Sequence, residues 1–578
     1  SLFVRLKDLL LACKLRTYGT FFITLGLYSA LIVFFRHFVF ADGTELIGAV
    51  LPVIVALSAL PLVFAKTTLS SELCKSKLGR NIRNYTGFRE EAMTVDGQSG
   101  RSNVAFALGL SLGMLTFFVP LLDIIVAMAK LLFAAAILAS PEVGVVSLFF
   151  LVPWISTVSA IKLTLFIGFS FTIKVIRGKR TFRFGRSDAA VLLFGVLILL
   201  GGLIPGASDA RSSAFAYFVF VLGYFIAASA LKTSKWRDRA MISVIASSVL
   251  ICIYTAFGYL IPLFKNIPFI DYGALSSFFD IAGNMFGDAK MLADYFVFVF
   301  PIALGILFCG NAGSKYRFVC FLISAMIIVY SVLDFNIGTA VALAVSFAII
   351  LLVRNFRFIY LLVASSCVLV VAWSLFPSFF SNVVSAVIPD STYDLAEYVV
   401  QVWNGTLAMI DDHFLTGIGL GATVWRTCFS RYALGTVSLA PHSHSLYLQI
   451  ISTLGFFGFV SFIIAVVCVF RSAFSYQRRI SAKHGEFKEK TDNQRTEKSI
   501  YRAYVSAKLG VAAPVTSLVA ALVLGISDNI WYNYRLFFMF WLVSALAVSC
   551  SRCTDGWLAP ERISDDMSGT TEADLTIY

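Results

Sequence analysis

Apolar runs of about eighteen residues or more recur along this chain, and that repetition constrains the fold more than any motif does. A helix of that length crosses the hydrocarbon core of a bilayer. In lipid, only helices and closed barrels satisfy every backbone polar group. The runs are continuous rather than short and alternating, which excludes a β-barrel. Composition agrees, since 59% of the 578 residues are hydrophobic and 14% charged, where a soluble domain is about a quarter charged. The fold class read from this is an all-α polytopic transmembrane helical bundle of about 14 to 16 spans, with one large, partly helical external loop. The net charge is +13. In a membrane protein such an excess lies in cytoplasmic loops and sets orientation, so no nucleic-acid partner is expected and membrane lipids are.

Spans are expected near 18–40, 46–65, 103–122, 157–176, 189–204, 214–231, 241–263, 291–309, 318–334, 337–353, 358–376, from His444 to Arg471, and near 509–526 and 536–550. Residues 123–156 are apolar but interrupted by Asp123, Lys130, Pro141 and Pro153. They fit two short spans or a re-entrant hairpin. Basic clusters at Lys174–Arg186, Lys232–Arg239, Lys315–Arg317 and Arg354–Arg357 fall on every second loop, as the positive-inside rule requires. That parity puts 377–444 outside and both termini in the cytoplasm. Residues 471–508 hold ten Lys or Arg against four Asp or Glu and read as a cytoplasmic loop. The basic N-terminus leads into a full-length span with no small-residue cleavage site, so no cleavable signal peptide is expected. The domains expected are an N-terminal hairpin with a basic cytoplasmic loop (1–102), a membrane core (103–376), the external loop (377–444), C-terminal membrane helices (445–550) and a cytoplasmic tail (551–578). The ten cysteines are scattered and mostly sit in apolar spans, where they behave as small hydrophobes.

Candidate chemistry gathers in and just after the external loop. From Asp394 the residues Leu395, Tyr398, Val399, Val402, Trp403 and Met409 form an apolar stripe of helical period. Gly417, Gly419 and Gly421 follow, a pattern that fits either a tight turn or a phosphate cradle. Arg426 and Arg431 come next. Arginine suits a diphosphate because its planar fork offers several donors, and it also anchors loops to lipid headgroups. His442 and His444 flank the entry into the next span, followed by Ser445. A neutral histidine accepts a proton from a hydroxyl near pH 7, while a bland histidine would only tether the loop. Two histidines at i and i+2 without further ligands do not make a zinc site, so no metal or cofactor is expected. Asp528, on the last external loop, is either an acidic partner for His444 or a solvated carboxylate. An Arg–His set at a membrane surface suits sugar transfer from a lipid diphosphate to a hydroxyl, because the leaving diphosphate needs its charge stabilised.

The stretch HSLYLQIISTLGFFG (His444 to Gly458) resembles the signature of the O-antigen ligase and Wzy-type polymerase superfamily. There, a His followed by Asn, Ser or Gln precedes nine residues and Gly-x-x-Gly. DDHFLTGIGLG (Asp411 to Gly421) is similar to the family's acidic-Pro-Leu-x-Gly-x-Gly-x-Gly segment, with Phe414 where Pro is usual. GNMFGDAKMLADYFVFVFP (Gly283 to Pro301) is similar to a third family segment. The resemblance implies a membrane glycosyltransferase that moves or polymerises oligosaccharide from undecaprenyl diphosphate onto a glycan or glycolipid acceptor. It further implies action at the outer face of the bacterial cytoplasmic membrane, without a metal, in concert with polysaccharide-assembly proteins. His444 matches the family histidine and is the catalytic candidate. Arg426, Arg431, His442, Ser445 and Asp528 are the substrate-binding candidates. The chain departs from the family where arginines are usual: Leu333 to Gly338 contains none, and the position four before Trp403 is Val399. The diphosphate clamp is then expected from Arg426, Arg431, Lys290 or Arg535. Two other readings compete: a lipid-glycan transporter, for which Asp123 and Lys130 would be the intramembrane charges, and an inactive scaffold of a glycan-assembly complex.

Overall fold

The computed structural model describes residues 8–40, 46–77, 79–80, 102–260, 289–309, 312–333, 336–378, 391–433, 435–489 and 494–552. Among them the protein is all helical, with one isolated β-bridge between Lys14 and Thr68. The helices are α1 (Leu15–Phe35), α2 (Val50–Phe64), α3 (Leu69–Lys75), α4 (Ser102–Leu115), α5 (Leu121–Ala139), α6 (Pro141–Leu151), α7 (Thr157–Ile176), α8 (Arg186–Gly201), α9 (Ser208–Ala230) and α10 (Ser234–Leu260). They continue with α11 (Ala289–Phe308), α12 (Ser314–Leu333), α13 (Ile337–Arg354), α14 (Phe358–Leu375), α15 (Ser391–Asp412), α16 (Ala422–Phe429), α17 (Leu446–Glu489), α18 (Gln494–Ser527) and α19 (Tyr534–Ser551). Twelve helices among the described residues are long and apolar enough to cross a membrane. The expected fourteen to sixteen spans are reached only when the shorter apolar helices α2, α4 and α6 are counted with them.

The chain forms two compact units, Ser1–Val143 and Gly144–Tyr578. Residues 103–143, grouped by hydropathy with the membrane core, therefore fold with the N-terminal hairpin. In this first unit α1 packs on α2 and α4 through small residues. A Cβ at Gly26 would lie 2.6 Å from the Pro52 carbonyl oxygen, and one at Gly109 would lie 2.7 Å from that of Phe21. Close backbone approach of this kind is how apolar helices associate in lipid. The ambiguous 123–156 stretch holds one full-length helix, α5, and the short α6.

In the second unit, α19 is the innermost helix, with every residue from Leu536 to Cys550 buried. It packs against α9, α17 and α18, and α18 also packs against α11 and α13. Past its last turn, Arg552 pairs with the fully buried Asp188 of α8. Tyr224 of α9 donates to the same carboxylate at 3.0 Å. Two opposite charges and a phenol at one point fix three helices there, because breaking one partner strands the others in an apolar interior. The largest departure from the hydropathy reading is at 471–508. Helix α17 runs on past Arg471 to Glu489, and α18 starts at Gln494. Charged residues compatible with helix extend both spans as a polar helix pair; hydropathy alone marks only where the apolar part ends.

Candidate active site

The 391–440 segment builds its own small core. Val402 and Met409 of α15 pack with Ile418, Trp425, Phe429, Val437 and Ala440. Trp425 and Phe429 stack at 4.5 Å within α16. The expected stripe is thus partly correct: Val402 and Met409 are buried, whereas Leu395 is exposed.

The glycine segment is a lock. Gly455 has φ 68° and ψ −171°, so the helix after His444 breaks there into two pieces. Gly417, Gly419 and Gly421 also have positive φ. The loop lies against the broken end: Ile418 N–H donates to Ser452 O and Gly419 N–H to Thr453 O, each at 2.9 Å, and Leu420 N–H to Gly201 O at 3.1 Å. Phe456 N–H returns a bond to Phe414 O at 2.8 Å. A Cβ on Gly417 would sit 2.5 Å from the Thr453 carbonyl carbon, and one on Gly455 would overlap the Leu415 carbonyl. The amides of Ile418, Gly419 and Leu420 are therefore spent on helix-terminal carbonyls. The segment acts as a turn rather than as a phosphate cradle. Gly455 admits this loop, its missing Cβ leaving room for the Leu415 carbonyl.

This lock fixes one end of the short helical piece Leu446–Leu454, and the histidine turn fixes the other. His444 has φ 51°, the one positive value at a non-glycine among the described residues. Histidine tolerates that region better than most residues. Ser443 N–H donates to Gln449 Oε1 at 3.0 Å, and its hydroxyl donates to Ser445 O at 2.7 Å. The Ser445 hydroxyl donates to Gly525 O at 3.4 Å, and Leu446 N–H to Asp528 O at 3.0 Å. Ser445 is buried and ties the turn to α18.

The turn brings four ionisable side chains together. The rings of His442 and His444 are 4.4 Å apart, and His442 also lies 4.7 Å from the Tyr532 ring. Tyr398 of α15 covers His444 edge-on at 5.9 Å. The backbone N–H of His444 donates to His442 Nδ1 at 3.2 Å, which leaves the proton of neutral His442 on Nε2. Asp528 is buried and pairs with Lys290 at the start of α11, Nζ to Oδ2 2.8 Å. Burial first, and then the Lys290 charge, push His444 down to about 4, while Asp528 pulls the other way. Burial, His444, Lys290 and Arg426 push His442 down to about 2. Both imidazoles are neutral at pH 7, and His444 has an acid beside it. A nitrogen of each histidine and a carboxylate oxygen of Asp528 lie within 4.8 Å of one another, so the third metal-type ligand unseen in the sequence exists. A cation there would have to compete with the Lys290 ammonium for Asp528.

Of the arginines, Arg426 reaches this cluster. Its guanidinium donates to Tyr532 OH at 3.5 Å. Arg431 instead neighbours Cys428 and Tyr432, and Arg535 donates to Ile155 O at 3.0 Å. At the positions where the family arginines would stand, Ile337 is exposed beside a tight contact of Gly338 with Ser527, and Val399 lies half-buried on α15. Gly283–Asp288 of the third motif fall outside the described residues; the rest of it carries Lys290. Ser443, Asn529 and Tyr532 also belong to the site and were missed, because nothing in their local sequence marks them.

No curated protein matches the chain. Residues 320–463, which run from within α12 to beyond the Gly455 break and include His444, match the family model described as O-antigen ligase. That stretch of this multi-pass membrane protein is similar to the O-antigen ligase/polymerase superfamily.

Proposed function

We propose that the protein transfers oligosaccharide from a polyprenyl diphosphate, such as undecaprenyl diphosphate, to a hydroxyl of a glycan or glycolipid acceptor. The supporting observation is the convergence of His444, Asp528, Lys290 and Arg426 on one turn inside the family-matched region. Similarity to that superfamily implies a lipid-linked glycan donor, a glycan acceptor and ligase- or polymerase-type transfer in general. In this reading the 391–445 segment faces the outer side of the cytoplasmic membrane, as the basic loops imply.

The acceptor hydroxyl attacks the anomeric carbon from the face opposite the phosphate. The new C–O bond forms as the old C–O–P linkage breaks at carbon, with inversion, and polyprenyl diphosphate departs. His444, neutral at pH 7, takes the hydroxyl proton. Arg426 and Lys290 stabilise the charge developing on the diphosphate, in place of the family arginines. A diphosphate competes with Asp528 for Lys290, which frees the carboxylate to stabilise the imidazolium that His444 becomes. Asp528 thus couples donor arrival to basicity. His442, held by its bond from the His444 amide, packs the catalytic ring in place. The step needs no metal.

Purified protein in liposomes, supplied with a lipid-diphosphate oligosaccharide and acceptor, tests this. Wild type transfers the glycan with EDTA present, and product size separates polymerisation from single transfer. His444→Ala, with an unchanged thermal transition, loses transfer by about 100-fold or more. A folded His444→Ala protein that transfers at the wild-type rate sinks the assignment.

A further inference from the structure

We propose that a cavity bordering the histidine turn is a subsite for one pyranose ring of the glycan. The proposal rests on the transferase reading and gives its substrate a contact surface. The cavity, about 310 Å³, lies in the second unit between α8, α9, the start of α17 and the turn before α19, and His442 is part of its wall. The wall is dominated by rings, among them Tyr217, Trp425, Trp531 and Tyr534. Those rings are held rigidly. Tyr217 OH donates to Trp531 O at 2.8 Å, and Ser213 Oγ and Tyr534 OH share a hydrogen bond at 2.8 Å.

Two residues of the same wall carry buried polar atoms without a hydrogen-bond partner: Asn529 Oδ1, an acceptor, and Trp531 Nε1, a donor. Asn529 is 4% and Trp531 7% exposed. Buried polar groups are nearly always partnered, and each orphan calls for an explanation. A sugar supplies one. Its hydroxyls both donate and accept, so one ring could serve Asn529 and Trp531 after a small side-chain adjustment, while its C–H face lies on aromatic rings. A polyprenyl chain in the same space would leave both groups unsatisfied. The free cavity has room for about ten waters at roughly 30 Å³ each, the space of one hexose-sized group. A mostly apolar pocket with a few orienting polar groups is the usual form of a small-molecule site.

The test is direct binding, without transfer. The full chain in nanodiscs is titrated with the methyl glycosides of glucose, galactose, mannose, N-acetylglucosamine, N-acetylgalactosamine and rhamnose, and separately with undecaprenyl phosphate, read by saturation-transfer NMR. At least one glycoside binds saturably at about millimolar concentration. Asn529→Ala and Trp531→Phe each weaken it by about tenfold, with the thermal transition kept. The subsite is overturned if no glycoside in the panel binds, if only the lipid binds, or if both variants bind like wild type. Glycan transfer with no glycoside binding would remove the subsite alone. Glycoside binding by a chain that never transfers would keep the subsite and count against the transferase reading.

Discussion

Replacing Gly455 by alanine should loosen the site without touching any group that does chemistry. At φ 68° and ψ −171° the backbone is in a region open essentially to glycine, and a residue with a Cβ there costs about 1–3 kcal/mol. The Cβ also overlaps the Leu415 carbonyl, so the loop must withdraw. Withdrawal removes the bonds from Ile418, Gly419 and Phe456 amides, each worth about 1 kcal/mol net. Together the lock loses about 4–6 kcal/mol, which by tenfold per 1.4 kcal/mol is at least about a 700-fold rise in local opening. Hydrogen exchange of the 414–421 amides reads this directly, and transfer should fall in parallel because Leu446–Leu454 carries His444. Gly435→Ala is the control: its φ is 62° with nothing within 4 Å of a Cβ, so it keeps the strain and lacks the clash. Protection in Gly455→Ala within about threefold of wild type would refute the lock, since that is under 1 kcal/mol.

Three further outcomes are expected. A neutral base with a pKa near 4 in the free protein is protonated only in acid, so kcat/KM should stay level from pH 7 down to about 5, where an ordinary histidine of about 6.5 would be mostly protonated. The acid limb of kcat should lie at higher pH, because donor binding draws Lys290 away; an acid limb of kcat/KM near 6.5 would contradict the burial of His444. Asp528→Asn should slow transfer and lower the His444 pKa further, by removing the one nearby group that raises it; an upward NMR titration shift of His444 would count against this. Arg426→Ala should raise the donor KM by about tenfold, the loss of one charge-assisted bond, whereas Arg431→Ala should leave it close to wild type. Equal effects would dissolve the distinction between them.

The family motifs and the hydropathy pattern reach different depths. Burying apolar side chains is a local property of each run, so the helices from α7 to α14 and the polar pair's apolar halves were readable from composition along the chain. The helix over 391–412 was readable too, because Val402 and Met409 recur at helical spacing. His444 was legible from its motif. The company it keeps was not. Lys290 and Asp528 are 238 residues apart in number yet 2.8 Å apart in space, and only the packing of α11 on α18 brings them to one carboxylate. The glycine segment had two readings until its amides were seen to meet the broken end of α17. The sequence by itself determined which segments must leave water, because that depends on side chains summed over a helix. Only the tertiary structure decided which charges face one another and which amides are already taken, because those depend on contacts between residues that no local pattern connects.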